Sequence, residues 1–291
     1  MKLSIPEEEI IGLGNFGCQG CGAVLAMRYA LKALGRNTII TLPACCWSVI
    51  DGPFPHSLVN VSLFHTAFET AAPAASGIRA GLEVKGKKAN VVAWAGDGAT
   101  YDIGFGAISG VAERNEDIIY VCYDNEAYMN TGNQRSSATP FKAVTTTTPI
   151  NSPKENHKKD IVSIMADHQI PYLATASIAY PEDLIEKFKK AKDIKGMRFM
   201  LIFCPCPTGW KYSPSLTIKL ARLAVQTRIF PLLEVEFGKK WALTKDILRP
   251  KPVEEYLKLQ GRFKHLKEED IKEIQHLVDE NWERLLEKIK R

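Results

Sequence analysis

The 291-residue sequence contains no apolar run approaching the ~18 residues that a membrane-spanning helix requires. Its opening, Met1–Ile10, carries Glu7, Glu8 and Glu9 where a secretory signal would need an apolar segment. Neither a membrane partner nor export is expected, and the expected location is cytoplasmic. There is no internal repeat, and no low-complexity tract beyond Thr145–Thr148. No block of like charge stands out either, because the net charge of +5 comes from basic residues spread along the chain. The lysine-rich stretch Lys187–Lys192 lies on a helical pattern beside Glu and Asp. It reads as a solvated helix face, so no nucleic-acid partner is expected.

What is present is ordinary for a globular protein: 45% hydrophobic and 24% charged residues. A chain of this size builds a sizeable core without disulfide staples. Seven cysteines in a chain expected in a reducing compartment therefore point to metal or redox chemistry.

Strand-like and helix-like segments alternate, which predicts an α/β fold, a mostly parallel sheet wrapped by helices. Ala23–Leu34 has helical spacing and stops at Gly35, a good C-terminal cap. Thr38–Leu42, Asn90–Ala95, Ile118–Tyr123, Leu173–Ala176, Phe199–Phe203 and Leu232–Val235 read as strands. Thr70–Val84, Phe105–Arg114, Ile161–His168, Pro181–Ala191, Ser215–Thr227 and the charged Glu268–Lys290 read as helices. From Asn125 to about Lys159 the chain is rich in Asn, Thr, Ser, Gly and Pro. A loop of that length inside a compact domain is functional or disordered. Cys204–Pro214 is a second irregular stretch.

Gly96-Asp97-Gly98 ends an apolar strand and leads, after a short loop, into a helix. Open α/β sheets bind ligands there, outside the carboxyl ends of the strands. The glycines permit close approach of backbone to a phosphate, and Asp97 offers a hard oxygen to a cation. Taken alone, the triplet also fits a tight turn with a capping Asp. The next strand ends at Asp124-Asn125, with Asn125 28 positions after Asp97. If these strands are neighbours, Asp97, Asn125 and a backbone carbonyl beyond it form half of a Mg²⁺ shell that diphosphate oxygens complete.

The cysteines fall into separate places: Cys18-Gln19-Gly20-Cys21 at the start of a helix, Cys45-Cys46 one strand later, and Cys204-Pro205-Cys206-Pro207 after another strand. Cys122, in mid-strand, reads as a buried free thiol. Two metal readings stay open for the others. Cys₄ zinc is one, although structural zinc usually shows two close pairs. A [4Fe–4S] cluster, which tolerates scattered thiolates, is the other.

Four strings occur in order along nearly the whole chain: Cys18–Gly22, Gly96–Gly106, Asp124–Gly132 and Pro205–Trp210. Together they resemble the beta subunit of pyruvate:ferredoxin oxidoreductase and its 2-oxoacid relatives, thiamine diphosphate enzymes. The resemblance implies a single thiamine diphosphate-binding domain over 1–291. Within it, an N-terminal cluster-binding segment covers about 12–50 and a C-terminal helical extension about 236–291. It implies thiamine diphosphate, Mg²⁺ and one [4Fe–4S] cluster as cofactors. Cys18, Cys21 and Cys206 match cluster ligands; for the third, ungapped counting from Cys21 favours Cys46, with Cys45 as the alternative. Asp97, Asn125 and the carbonyl of Ala127 match Mg²⁺ ligands. Gly96, Gly98 and Tyr128 fall in the cofactor-binding strings, and Asn130 matches a residue beside the thiazolium and substrate. Phe68 and Glu69 lie in a segment that either reaches the cofactor or packs at a helix start.

The implied activity is oxidative decarboxylation of a 2-oxoacid with coenzyme A, electrons leaving through the cluster to ferredoxin. Pyruvate is the expected substrate, with 2-oxoisovalerate, 2-oxoglutarate, oxalate and aryl 2-oxoacids as alternatives. The Glu that activates the cofactor's pyrimidine ring is missing from this chain. The family draws it from a partner alpha subunit, and gamma- and delta-type subunits carry further clusters. A cluster- or zinc-bearing scaffold without catalysis is the contrasting reading.

Overall fold

The structure, a computed structural model, describes residues 5–290. In chain order the elements are α1 (Gly22–Leu34), β1 (Thr38–Pro43), α2 (Cys46–Ile50), β2 (Ser62–Thr66), α3 (Ala71–Val84) and β3 (Asn90–Gly96). Then come α4 (Phe105–Glu113), β4 (Ile119–Asp124), α5 (Ile161–Asp167), β5 (Tyr172–Ser177), α6 (Pro181–Asp193) and β6 (Arg198–Phe203). The chain continues with α7 (Pro207–Trp210), α8 (Thr217–Gln226), β7 (Leu233–Glu236), β8 (Lys240–Leu243), α9 (Val253–Leu257) and α10 (Glu268–Lys290). The strands form one 8-stranded sheet in the order β2-β1-β3-β4-β6-β5-β7-β8. Pairings from β2 through β5 are parallel, and β7 and β8 close one edge antiparallel.

The central strands read as continuous apolar runs because both faces are covered. In β3, Val91, Ala93 and Ala95 enter the core shared with α3 and α4, while Val92 and Trp94 enter the core shared with α1 and α6. In β6, Phe199, Leu201 and Phe203 take the first side and Met200 and Ile202 the second. Each such Leu, Ile or Phe stabilises the fold by roughly 1.5–3 kcal/mol on burial. α1 ends as expected at Gly35, whose positive φ of 82° suits glycine and whose N–H donates to the Leu31 carbonyl at 2.8 Å.

Several expectations are corrected. Lys187 is not on a solvated face: it is 1% exposed, and its ammonium donates to the Thr175 carbonyl, Asp183 and Thr244 at 2.7–2.8 Å. The helical period of α6 places it with Leu184 and Phe188, and those acceptors offset its desolvation. The C-terminal extension is not wholly helical, because β8 pairs with β7 as the sheet's last strand. No loop separates Gly98 from α4; Gly98–Ile103 forms a π-helical turn running straight into it. The stretch after Cys204 contains the short helix α7. β2 escaped the sequence reading because it is an edge strand with largely exposed residues. No helix among the described residues is long and apolar enough to cross a membrane.

Candidate functional site

The strands β1, β3, β4 and β6 are consecutive neighbours in the sheet, and all run in the same direction. Their carboxyl ends therefore present Cys45-Cys46, Asp97, Asn125 and Cys204–Cys206 along one edge. A cavity of about 180 Å³ opens there, lined among others by Cys46, Phe68, Asp97, Asn125, Tyr128 and Asn130. Gly96, Gly98 and Ala127 also line it. Asn130 stands exposed at the cavity wall; Glu69 is exposed and lies outside the lining.

Asp97 and Asn125, 28 positions apart, meet in space. One terminal atom of the Asn125 carboxamide lies 2.9 Å from Asp97 Oδ1 and 2.8 Å from the Ala127 carbonyl oxygen. With nitrogen in that place the amide donates to both. With oxygen there, its separations from the Asp97 and Ala127 oxygens are about those of adjacent ligands on an octahedral Mg²⁺, √2 times a bond of about 2.1 Å. The chain achieves this convergence through Glu126, whose φ of 66° turns the backbone between the two ligand-bearing residues.

The glycines serve a purpose the sequence did not show. A Cβ on Gly98 would meet the Tyr128 ring at 2.2 Å, and one on Gly96 the Tyr123 ring at 3.3 Å. Tyr128 is held there by its hydroxyl, which donates to Asp102 at 2.7 Å, and by edge contact with Phe68 at 6.0 Å.

Beneath the cavity lies a buried charge network. Asp97 accepts a hydrogen bond from Ser136 at 2.6 Å. Lys158 donates to Asp124 at 2.6 Å and to Glu126 at 2.9 Å, and Arg262 donates to Glu126 at 2.6 Å. Burial, and then the Asp124 charge, pushes the Asp97 carboxyl well above the usual carboxylate range. Burial opposes ionisation of Glu126 too, but Lys158 and Arg262 outweigh it and hold that carboxyl below its usual range. Three acids thus face two cations, an imbalance that favours a bound cation beside Asp97. Ser136, Lys158 and Arg262 were not found by sequence reading, since no motif links them to Asp97 or Glu126.

The thiols approach one another from remote segments. The Cys18–Cys21 turn closes with Cys21 N–H donating to the Cys18 carbonyl at 3.0 Å. Its Gly22 packs so tightly on Cys204-Pro205 that a Cβ would lie 2.9 Å from the Pro205 carbonyl oxygen. Burial, then the charges of Cys45, Cys206 and Cys21, pushes the Cys46 thiol up. Burial and the Cys21 and Cys18 charges push Cys206 up to about 11, against a backbone N–H from Gly209. Cys45 instead caps α2, exchanging contacts with Ser48, and bonds Tyr123. Among the described residues no three His, Cys, Asp or Glu side chains close on a point tightly enough for a single metal ion. Cys122 is fully buried, as expected.

A mostly parallel α/β sheet with a cavity at its carboxyl edge defines a class, and residues 46–202 match the family described as thiamine pyrophosphate enzyme, C-terminal TPP binding domain. The chain is 53% identical to the ketoisovalerate oxidoreductase subunit VorB of Pyrococcus horikoshii, covering 98% of this chain and 94% of that one. It is 50% identical to the pyruvate synthase subunit PorB of Methanocaldococcus jannaschii, over 96% and 97% respectively. The fold is shared with a 2-oxoglutarate:ferredoxin oxidoreductase from Magnetococcus marinus, TM-score 0.60 at 22% identity, over 76% of this chain and 81% of that one. The chain belongs to the beta subunits of the 2-oxoacid:ferredoxin oxidoreductases, a thiamine diphosphate-dependent family.

Proposed function

We propose that this chain holds the diphosphate end of thiamine diphosphate and one [4Fe–4S] cluster for oxidation of pyruvate with coenzyme A to acetyl-CoA and CO₂, electrons passing to ferredoxin. The observation carrying the reading is the convergence of Asp97 Oδ1 and the Ala127 carbonyl oxygen on the Asn125 carboxamide, at 2.9 and 2.8 Å. Asp97 and Asn125 would hold Mg²⁺ through side-chain oxygens and Ala127 through its carbonyl, with the Asn125 amide turned to present oxygen. Thiamine diphosphate supplies, when bound, a nucleophilic carbon for the keto group and a sink for the electrons that decarboxylation releases.

The chain's own residues then position and shield. Tyr128 and Phe68 line the cavity and pack edge to face. Asn130, at the wall, donates a hydrogen bond to charge developing near the reacting carbon. Cys18, Cys21, Cys46 and Cys206 supply the thiolates. These thiols come from three separate segments, a scatter that a multi-iron cluster tolerates better than structural zinc, which usually takes two close pairs. The pyrimidine-activating Glu comes from an alpha subunit, and gamma- and delta-type subunits carry electrons onward.

The test is an anaerobic purification of the whole complex, assayed on a 2-oxoacid panel with coenzyme A and a viologen dye. Highest kcat/KM on pyruvate is expected. A preference for 2-oxoisovalerate would shift the substrate to the second reading, which the 53% identity to the ketoisovalerate subunit favours. No turnover of any 2-oxoacid by an intact, brown complex would overturn both. The isolated chain is expected to be inactive, and full activity without added subunits would refute the division of labour.

A further inference from the structure

The C-terminal segment reaches into the site. Arg262 lies in a turn between α9 and α10, 136 positions after Glu126, yet both side chains are only 3% exposed and joined at 2.6 Å. Its Nε donates to Gln260 at 2.9 Å, which fixes the guanidinium plane. One face of that plane lies 3.8 Å from the centre of the Trp210 ring. The Trp210 indole N–H in turn donates to the backbone carbonyl of Asn125 at 2.8 Å. The same guanidinium therefore grips two successive residues: Glu126 through its carboxylate, and Asn125 through the stacked indole.

Those two residues decide whether the oxygens converge. Glu126 stands in the left-handed region, which costs a non-glycine residue on the order of 1–3 kcal/mol unless its surroundings hold it. Relaxation of that turn would swing the Ala127 carbonyl away from the Asn125 side chain. Lys158 and the Thr139 hydroxyl, donating at 2.7 Å to the Glu126 carbonyl, brace the turn from the other side. We propose that Arg262 is a positioning residue that locks the Asn125–Ala127 turn in the geometry that accepts Mg²⁺. The proposal deepens the function proposed above and rests on it.

The experiment uses the intact complex, stripped of Mg²⁺ and thiamine diphosphate with a chelator. Thiamine diphosphate binding is followed by tryptophan fluorescence as MgCl₂ is added at fixed cofactor. Wild type should saturate at a defined Mg²⁺ concentration. Arg262→Met should raise the half-saturating concentration about tenfold or more, the usual range for residues that orient metal ligands. Iron–sulfur absorbance should be unchanged, and excess Mg²⁺ should restore kcat. Arg262→Lys keeps the charge but cannot stack or fork, so it should fall between the two. Where Arg262→Met does not assemble, Arg262→Lys and Trp210→Phe, which keeps a ring but loses the N–H, carry the test and should each show a rise. Unchanged half-saturation in these folded variants overturns the proposal. Wild-type cofactor binding that ignores Mg²⁺ altogether would instead remove the underlying cation site, a separate and recognisable result.

Discussion

Ser136 donates its hydroxyl proton to Asp97 across 39 positions of sequence, Oγ to Oδ2 at 2.6 Å, with both side chains buried. The same oxygen accepts the Ala138 N–H at 3.2 Å, so the hydroxyl is aimed and not free to turn. A hydrogen bond to a charged group contributes about 1.5–3 kcal/mol, and here it fixes which Asp97 oxygen remains for a cation. Ser136→Ala should weaken Mg²⁺-dependent cofactor binding by about tenfold. A Mg²⁺ titration superimposing on wild type would show that the bond is incidental.

The two adjacent thiols Cys45 and Cys46 have different occupations. Cys45 is committed to the α2 cap and to Tyr123, whereas the Cys46 thiol feels the charges of Cys45, Cys206 and Cys21. Cys46→Ser should abolish most of the iron–sulfur absorbance near ~400 nm in anaerobically purified complex, while Cys45→Ser retains it. The opposite pattern of iron content would reassign the third ligand to Cys45.

Asn130 lines the cavity without being part of the buried network. Asn130→Ala is expected to leave cofactor and iron content intact and to lower kcat roughly a hundredfold, the scale of losing one preorganised donor. Equal kcat in the two complexes would exclude Asn130 from the chemical step.

Lys154 is 2% exposed and donates to the carbonyls of Thr139 and His157, the latter at 3.3 Å. Burial, helped by the nearby Arg135 and Lys158 cations, lowers its ammonium to about 8 from an ordinary 10.5. Between pH 8 and 10.5 the unfolded chain therefore binds more protons at this residue, and the folded state gains stability as pH rises. Below pH 8 the penalty of holding the buried charge is fully present. The wild-type melting temperature, compared with that of Lys154→Met, should shift in wild type's favour between pH 7.5 and pH 10, about the span of that titration. A pH-independent difference would mean that Lys154 titrates normally.

The sequence carried the parallel sheet and the Asp97–Asn125 pair because both are local in kind: apolar runs buried on two faces, and polar residues at the ends of neighbouring strands. It could not show Ser136, Lys158 or Arg262, which enter the site across 39, 32 to 34 and 136 positions respectively. Lys158 and Arg262 look like any surface cation until the fold buries their partners. Nor did it show β2 and β8, short and partly exposed strands whose identity comes from the edges they pair with. Lys187 was misread for a related reason: a charged residue on a buried helix face is expected only once its three acceptors are known.

A brace supplied by position 262 would set an order of events during synthesis. A ribosome that has delivered β3 and β4 has already released Asp97, Asn125 and Ala127, but the brace behind them is still unmade. Nascent polypeptide should hold magnesium and coenzyme poorly, and loading belongs to the finished chain. By the same reasoning, loss of the segment from α9 onward would take the brace away while leaving every residue that lines the cavity in the chain.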